Sequence, residues 1–148
     1  MRLLRAVDYP PVWLALFMAL GWALGELWAP LGDALLWPGR ALIAAGIALA
    51  VWAALAFRRA RTTIVPHERP SALVETGPYR HSRNPIYVAD LAILAGWVLI
   101  TGQPLGLVLL WPFARLLEAR FIEPEERMLA EDLGAPYEAY CARVRRWL

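Results

Sequence analysis

Two long stretches of the sequence are almost free of charged side chains. Residues 9–57 contain three of them, and residues 84–114 contain a single one, Asp90. A charge near the middle of a bilayer costs about 2.5–3.5 kcal/mol on insertion scales, so such stretches are typical of membrane-spanning helices. The hydrophobic share of the chain, 59%, also exceeds the roughly 45–50% that is usual for soluble domains. We therefore expect an all-α integral membrane protein.

Prolines, glycines and charges divide these stretches into four predicted spans. A span needs about 20 apolar residues, and the last two are shorter, which predicts a hairpin with a polar site at its base. The predicted spans are Pro11–Trp28, Leu35 or Arg40 to Phe57, Pro85–Ile100, and Leu105 onward through Arg115 and Glu118. The chain is then one membrane domain with two N-terminal helices (1–57), a cytoplasmic loop (58–84), a transmembrane hairpin (85–121) and a cytoplasmic helical tail (122–148).

The distribution of arginine predicts how these spans are oriented. The chain has 15 arginines and no lysine, and an N-terminus placed in the cytoplasm puts all of them except Arg40 on the cytoplasmic side. This bias follows the positive-inside rule, so both termini are predicted to be cytoplasmic. The basic residues border the spans, and we therefore expect a lipid bilayer and no nucleic acid as partner. A single cysteine and two histidines predict no metal site.

The predicted start of the third span collects polar and aromatic residues at the membrane surface. Gly77-Pro78 predicts a turn, and Asn84-Pro85 predicts an N-cap followed by proline at the first helical position. The free N–H groups and the dipole of this helix N-terminus favour an anion, and Arg83 adds a positive charge. Asn84 has two interpretations here, a helix cap or a ligand contact.

Asp90 lies six residues after Asn84, about 9 Å into the predicted helix at 1.5 Å per residue. It shares a helix face with Arg83 and Tyr87, because the spacings are four and three residues. An acidic residue inside a span usually faces a bundle interior or a cavity and suggests a function. The alternative interpretation is a buried ion pair with Arg83 or Arg115.

The C-terminal segment, residues 119–148, has the periodicity of an amphipathic helix. Its apolar residues recur in steps of three and four, and Leu133-Gly134-Ala135-Pro136 predicts a break between two helices. Glu123, Glu125 and Glu126 stand at its head. They are either acids that complement a helix dipole or one half of a site for a zwitterionic ligand.

Three motifs resemble those of isoprenylcysteine carboxyl methyltransferases and the related bacterial and phospholipid methyltransferases. The central motif is similar to the Arg-His-Pro-x-Tyr signature, which the relatives often carry as Arg-Asn-Pro-x-Tyr. The resemblance covers about residues 64–148. The first motif is Leu73-Val74-x-x-Gly77-x-Tyr79, and the central one is Arg83-Asn84-Pro85-Ile86-Tyr87. The third is the tail motif, Glu125-Glu126-x-x-Leu129 followed by Leu133-Gly134-x-x-Tyr137-x-x-Tyr140-x-x-x-Val144.

The resemblance implies a membrane methyltransferase that uses S-adenosylmethionine, releases S-adenosylhomocysteine and has no Rossmann domain. The cofactor is then expected at the cytoplasmic membrane face of a multi-pass protein of the bacterial inner membrane. The implied cofactor contacts are Leu73, Val74, Tyr79, Arg83, Asn84, Pro85, Ile86, Tyr87, Glu125 and Glu126. The residues considered for catalysis or substrate binding are Asp90, Glu126 and Arg120; Arg120 adjoins Phe121, where eukaryotic members place a substrate-binding arginine.

The acceptor and the activity itself have alternatives. An embedded site suits a lipophilic acceptor, which is an isoprenoid or prenylcysteine-like carboxylate, a phospholipid amine or a small hydrophobic thiol. A carboxylate acceptor needs no base, whereas an amine or a thiol has to lose a proton, and Asp90 or Glu126 is placed to take it. The alternative functions are a small proton-coupled transporter and a non-catalytic membrane scaffold. The Ala/Gly-rich second span favours close helix packing within the chain or between two copies.

Overall fold

A computed structural model describes residues 8–25, 33–61, 73–102 and 104–148. These residues form helices, turns and short irregular segments, and no strand occurs among them, as predicted for an all-α protein. The predicted end of the first span at Trp28 and much of the 58–84 loop lie outside the described residues.

Six α-helices are described in the order of the chain. The helices are α1 (Pro10–Gly25), α2 (Leu36–Ala60), α3 (Pro85–Ile100), α4 (Leu110–Leu117), α5 (Glu123–Leu133) and α6 (Ala135–Arg143). Short 3-10 helices precede α2, α3 and α4, at Asp33–Leu35, Gly77–Arg80 and Pro104–Leu109. A π-helical turn, Glu118–Ile122, joins α4 to α5. With its 3-10 turn, α2 is the one helix among the described residues that is long and apolar enough to cross a bilayer.

Glycines bring α2 and α3 into direct backbone contact. A Cβ atom built on Gly96 would lie 2.6 Å from the carbonyl oxygen of Gly39, and one built on Gly46 would lie 2.9 Å from that of Ala89. Larger side chains would hold the helices apart, because a real Cβ atom does not approach an oxygen this closely. The small residues of the second span therefore serve packing within the chain.

The main core lies between α1, α3 and the α4–π-turn segment. Leu94, Phe113 and Phe121 are completely buried there, and the rings of Phe17 and Phe113 lie 4.9 Å apart. Trp97 adds a hydrogen bond from its indole N–H to the carbonyl of Met18 at 3.1 Å. These contacts fix α3, which carries the Arg-Asn-Pro-x-Tyr motif at its start, against two neighbouring elements.

The C-terminal tail folds as two short helices, as predicted. α5 ends at Leu133, Gly134 adopts φ 55°, and α6 begins at Ala135. A positive φ of this kind favours glycine, which explains why the break falls at this residue. Tyr137, Tyr140 and Val144 are buried on the inner face of the tail.

The outward faces of the bundle remain strongly apolar. Large hydrophobic side chains are exposed on α1, α2 and the segment that leads into α4. They include Leu16 and Trp22 on α1, Trp37, Ile47, Val51 and Trp52 on α2, and Val108 and Trp111. So large an apolar surface is unusual for a soluble protein and indicates a nonaqueous environment or a partner.

Candidate functional site

A tight turn places the residues that precede α3. Gly77 has φ 63°, and Pro78 and Tyr79 that follow it are buried. The ring of Tyr79 meets Phe57 of α2 edge-on, with centroids 5.3 Å apart. Val74 packs into the same small cluster. The pKa of Tyr79 is raised because burial disfavours the phenolate, so this residue presents a neutral aromatic ring.

Asn84 stands at the N-cap position of α3, but its side chain does not cap the helix. The side-chain Nδ2 instead donates to the carbonyl oxygen of Arg146 at 3.0 Å. Ser82 Oγ accepts the backbone N–H of Asn84 at 3.0 Å. The cap interpretation is therefore wrong for the Asn84 amide, which ties the start of α3 to the C-terminal residues.

Further hydrogen bonds join the tail to the same segment. The backbone N–H of Arg83 donates to the carbonyl of Arg145 at 2.9 Å, and the Tyr140 hydroxyl donates to the carbonyl of Tyr79 at 2.8 Å. Leu73 packs against the buried face of the tail. The residues before α3 and the C-terminal residues thus form one unit, although more than 50 positions separate them in sequence.

An ion-pair cluster with Glu126 at its centre adjoins this unit. Arg83 Nη2 donates to Glu126 Oε1 at 2.8 Å, and Arg146 donates to both carboxylate oxygens, from Nε at 3.2 Å and from Nη2 at 2.6 Å. The side chains of Arg83 and Glu126 are only 15% and 16% exposed. The Nε atom of Arg83 is buried and has no hydrogen-bond partner among the described residues.

Glu125, the neighbour of Glu126, contacts α3 instead. The Tyr87 hydroxyl donates to Glu125 Oε1 at 2.9 Å, and the Tyr87 ring stacks on Phe121 with centroids 6.2 Å apart. The pKa of Glu125 is raised to about 7, mainly because burial disfavours the carboxylate. The hydrogen bond from Tyr87 lowers this pKa, and the nearby charge of Glu126 raises it.

Asp90 does not form an ion pair with Arg83 or Arg115, so the alternative interpretation of this residue is wrong. Arg83 is engaged by Glu126, and Arg115 pairs with Glu118, so neither guanidinium binds Asp90. The Asp90 side chain is buried, and its Oδ2 atom has no hydrogen-bond partner among the described residues. A buried carboxylate oxygen without a partner is costly and is expected where a function requires it.

Arg120 belongs to a different contact from the other predicted site residues. Its guanidinium binds both carboxylate oxygens of Asp8, at 3.0 and 2.8 Å, and lies over the ring of Trp13 at 5.2 Å. The neighbouring Phe121 is completely buried. The structure therefore brings Arg83, Asn84, Tyr87, Glu125 and Glu126 together. Arg120 instead joins the π-turn to Asp8 and to Trp13 near the start of α1.

A small cleft of about 100 Å³ lies beside this cluster, between α2 and α3. Apolar side chains form most of its wall, and Ser82 and His81 supply the polar part. The lining residues are Leu49, Trp52, Pro78, His81, Ser82, Pro85, Val88 and Leu148. The cleft therefore adjoins the predicted cofactor segment and the apolar outer face of α2.

The sequence motifs did not indicate Arg146 or Ser82 as part of the site. Both lie next to motif residues, since Ser82 precedes Arg83 and Arg146 follows Val144 by two positions. Arginine is also the commonest charged residue of the chain, so its type alone did not distinguish position 146. Only the folded tail shows which arginine faces Glu126.

Comparison with known families gives one match. A model of the family described as "Phospholipid methyltransferase" matches residues 34–135, which is 102 of the 148 residues. A search of curated proteins found no match, and neither did a search of solved structures. The family match confirms the resemblance to this family and extends it over α2, while the last residues of the tail motif lie beyond the matched range. Together with the length and hydropathy of α2, the match indicates a membrane protein.

Proposed function

Because the chain belongs to the phospholipid methyltransferase family, we propose that it transfers a methyl group from S-adenosylmethionine to a lipophilic acceptor at the cytoplasmic membrane face. The single observation that carries this proposal is the convergence of the predicted cofactor residues. Arg83, Asn84 and Tyr87 at the start of α3 meet Glu125 and Glu126 at the head of α5.

The chemistry of these side chains fits the charges of the cofactor. S-adenosylmethionine carries a carboxylate, an ammonium group and a sulfonium, and when bound it supplies an activated methyl group. Arg83 has a buried Nε donor without a partner, which is suited to a carboxylate. Glu125 uses one oxygen for Tyr87, and its carboxylate is suited to an ammonium or to ribose hydroxyls. The Tyr79 and Tyr87 rings favour a cation such as a sulfonium.

The apolar part of the proposed site suits an adenine ring. Val74 lies in the cluster formed with α2, Leu73 covers the tail, and Ile86 packs against the Val74 cluster. The cleft of about 100 Å³ is smaller than the roughly 300 Å³ of the smallest typical ligand pockets. Cofactor binding therefore requires neighbouring side chains to separate.

We further propose that the bundle crosses the membrane four times with both termini in the cytoplasm. The exposed apolar side chains of α1, α2 and α4 support contact with lipid on several sides. α1 and α3 have only 16 described residues each, so their ends would lie at the level of the headgroups. An acceptor that is itself a lipid then reaches the start of α3 from within the bilayer.

Asp90 is the residue that we propose to face the acceptor. It lies one helical turn below Tyr87 on α3, about 4.5 Å deeper in the bundle, and no arginine of the cluster neutralises it. With an amine or thiol acceptor, Asp90 would take the proton that must leave before methylation. With a carboxylate acceptor no proton has to leave, so Asp90 would have no such role.

Binding of S-adenosylhomocysteine to the purified full-length protein in detergent tests the cofactor part of the proposal. We expect the ligand to raise the melting temperature, and Arg83→Ala and Glu125→Ala to abolish the shift. Arg127→Ala and Glu131→Ala are matched controls, because both residues are exposed on α5, and they should retain it. A shift that persists in both site variants would refute the pocket.

Transfer of a labelled methyl group to a total lipid extract tests the activity and identifies the acceptor class. We expect label in a lipid fraction with the wild-type protein and none with Arg83→Ala. A protein that shows neither ligand-induced stabilisation nor transfer would contradict the proposed function and favour the scaffold or transporter alternatives.

A further inference from the structure

Two arginines, Arg83 and Arg146, bind the Glu126 carboxylate. Arg146 binds it in a forked arrangement, with Nε on Oε1 and Nη2 on Oε2. Arg83 adds a third contact, to the Oε1 atom that Arg146 already holds. Arg146 alone therefore satisfies both oxygens, and Arg83 can leave Glu126 without exposing an unpaired buried carboxylate.

The arginines near Glu126 differ in exposure and in how fully their donors are used. Three arginines share two glutamates, because Arg146 also approaches Glu118 at 3.9 Å and Arg115 binds Glu118. The members of this cluster are Arg83, Arg115, Arg146, Glu118 and Glu126. Arg115 is 62% exposed, whereas Arg83 is 15% exposed and its Nε lacks a partner. Arg83 is therefore the guanidinium of this cluster that water screens least, and its Nε is a donor still available to an anion.

We infer that Arg146 is a positioning residue, which holds Glu126 so that Arg83 is free to bind the carboxylate of the cofactor. This inference rests on the proposed function, since the anion is the amino-acid carboxylate of S-adenosylmethionine. Arg146 itself does not contact the ligand. Without Arg146, Arg83 would be the sole partner of Glu126, and its release would leave a buried charge unpaired, which is strongly unfavourable.

The fold holds Arg146 in place through its backbone and its neighbour. The Arg146 carbonyl accepts hydrogen bonds from Asn84 Nδ2 at 3.0 Å and from Ser82 Oγ at 3.4 Å. The Trp147 indole N–H donates to Glu118 Oε1 at 2.8 Å. The backbone around Arg146 is thus anchored to the start of α3 and to the π-turn that leads into α5.

Two ligands that differ in the amino-acid part separate positioning from general structural support. S-adenosylhomocysteine carries the carboxylate, and 5′-methylthioadenosine has the same nucleoside and sulfur without it. For Arg146→Gln in the full-length protein, we expect the affinity for S-adenosylhomocysteine to fall about tenfold or more and that for 5′-methylthioadenosine to stay unchanged. Arg143→Gln is the matched control, because Arg143 lies in the same tail and forms an exposed pair with Glu75. It should change neither affinity.

A second substitution supplies a rescue that a structural role would not produce. Glu126→Gln removes the charge that competes for Arg83, so the double variant Arg146→Gln/Glu126→Gln should regain the affinity for S-adenosylhomocysteine. Equal losses for both ligands in Arg146→Gln, or no loss for either, would overturn the inference. Absence of rescue in the double variant would overturn it as well.

Ligand binding by the wild-type protein distinguishes a failure of this inference from a failure of the proposed function. Wild-type protein that binds neither ligand would contradict the proposed function. If the wild-type protein binds S-adenosylhomocysteine and Arg146→Gln prefers it over 5′-methylthioadenosine to the same degree, only the role of Arg146 is contradicted. Should Arg146→Gln fail to fold, Arg146→Lys still decides, because it keeps the charge but loses the forked contact to both Glu126 oxygens. It should weaken binding of S-adenosylhomocysteine more than that of 5′-methylthioadenosine, and equal changes for the two ligands would overturn the inference.

Discussion

The proposed role of Glu125 makes cofactor binding depend on pH. In the unliganded protein its pKa is raised to about 7, mainly by burial, so near neutral pH a large fraction carries a proton. An ammonium group of the ligand requires the ionised carboxylate, and binding therefore releases that proton. Affinity for S-adenosylhomocysteine should accordingly rise with pH through 7 and level off above it.

The size of the effect follows from the pKa of Glu125. If only the ionised form binds, the observed Kd is the limiting Kd multiplied by 1 + 10^(pKa − pH). This factor is about 11 at pH 6 and about 1.1 at pH 8 for a pKa of about 7. We therefore expect binding to be about tenfold weaker at pH 6 than at pH 8.

Isothermal titration calorimetry of the full-length protein at several pH values measures this dependence. The control ligand is 5′-methylthioadenosine, which has no ammonium group and should bind with little change between pH 6 and pH 8. The control variant is Glu125→Gln, which keeps an acceptor for the Tyr87 hydroxyl and should lose the dependence while binding more weakly. His81, an exposed residue that lines the cleft, remains in both proteins. A flat profile in the wild type, or the same slope in Glu125→Gln, would refute the reasoning.

Two further predictions concern helix packing and the acceptor. Gly96→Ala should lower the free energy of unfolding by about 1–3 kcal/mol and lower the melting temperature, because its Cβ would lie 2.6 Å from the carbonyl oxygen of Gly39. The control Gly21→Ala should be tolerated, because its Cβ would lie 3.6 Å from the nearest side chains. Equal effects of the two substitutions would contradict the packing of α2 on α3. Asp90→Asn should slow labelled-methyl transfer to amine lipids while S-adenosylhomocysteine still stabilises the protein, whereas undiminished transfer to amines would exclude Asp90 as the proton acceptor.

Most of the helix boundaries could be predicted from local signals. The break at Gly134 and the start of α3 at Pro85 follow from the backbone preferences of glycine and proline, which act within a few residues. The last span was less predictable, since the structure begins it with a 3-10 helix, Pro104–Leu109, before α4. The π-turn at Glu118–Ile122 left no signal in the apolar periodicity.

The contacts of individual polar residues were not predictable in the same way. Asn84 was expected as a cap by its type and position, yet its amide binds Arg146, 62 residues away. One of the two interpretations of Asp90 was an ion pair with Arg83 or Arg115, but these guanidiniums bind Glu126 on α5 and Glu118 in the π-turn. Spacing along one helix identifies the residues that share a face, but it does not reveal which tail residue covers that face.

The sequence alone determined the class of the protein and the segment that carries its motif. Hydrophobic stretches, arginine bias and glycine or proline positions act locally or additively, so they can be read without knowing the neighbours of each residue. Tertiary structure decided how the charges are shared among Arg83, Glu126 and Arg146. That sharing depends on distances of a few ångströms between segments far apart in the chain, because electrostatic and hydrogen-bond energies in a partly buried site change steeply over such distances.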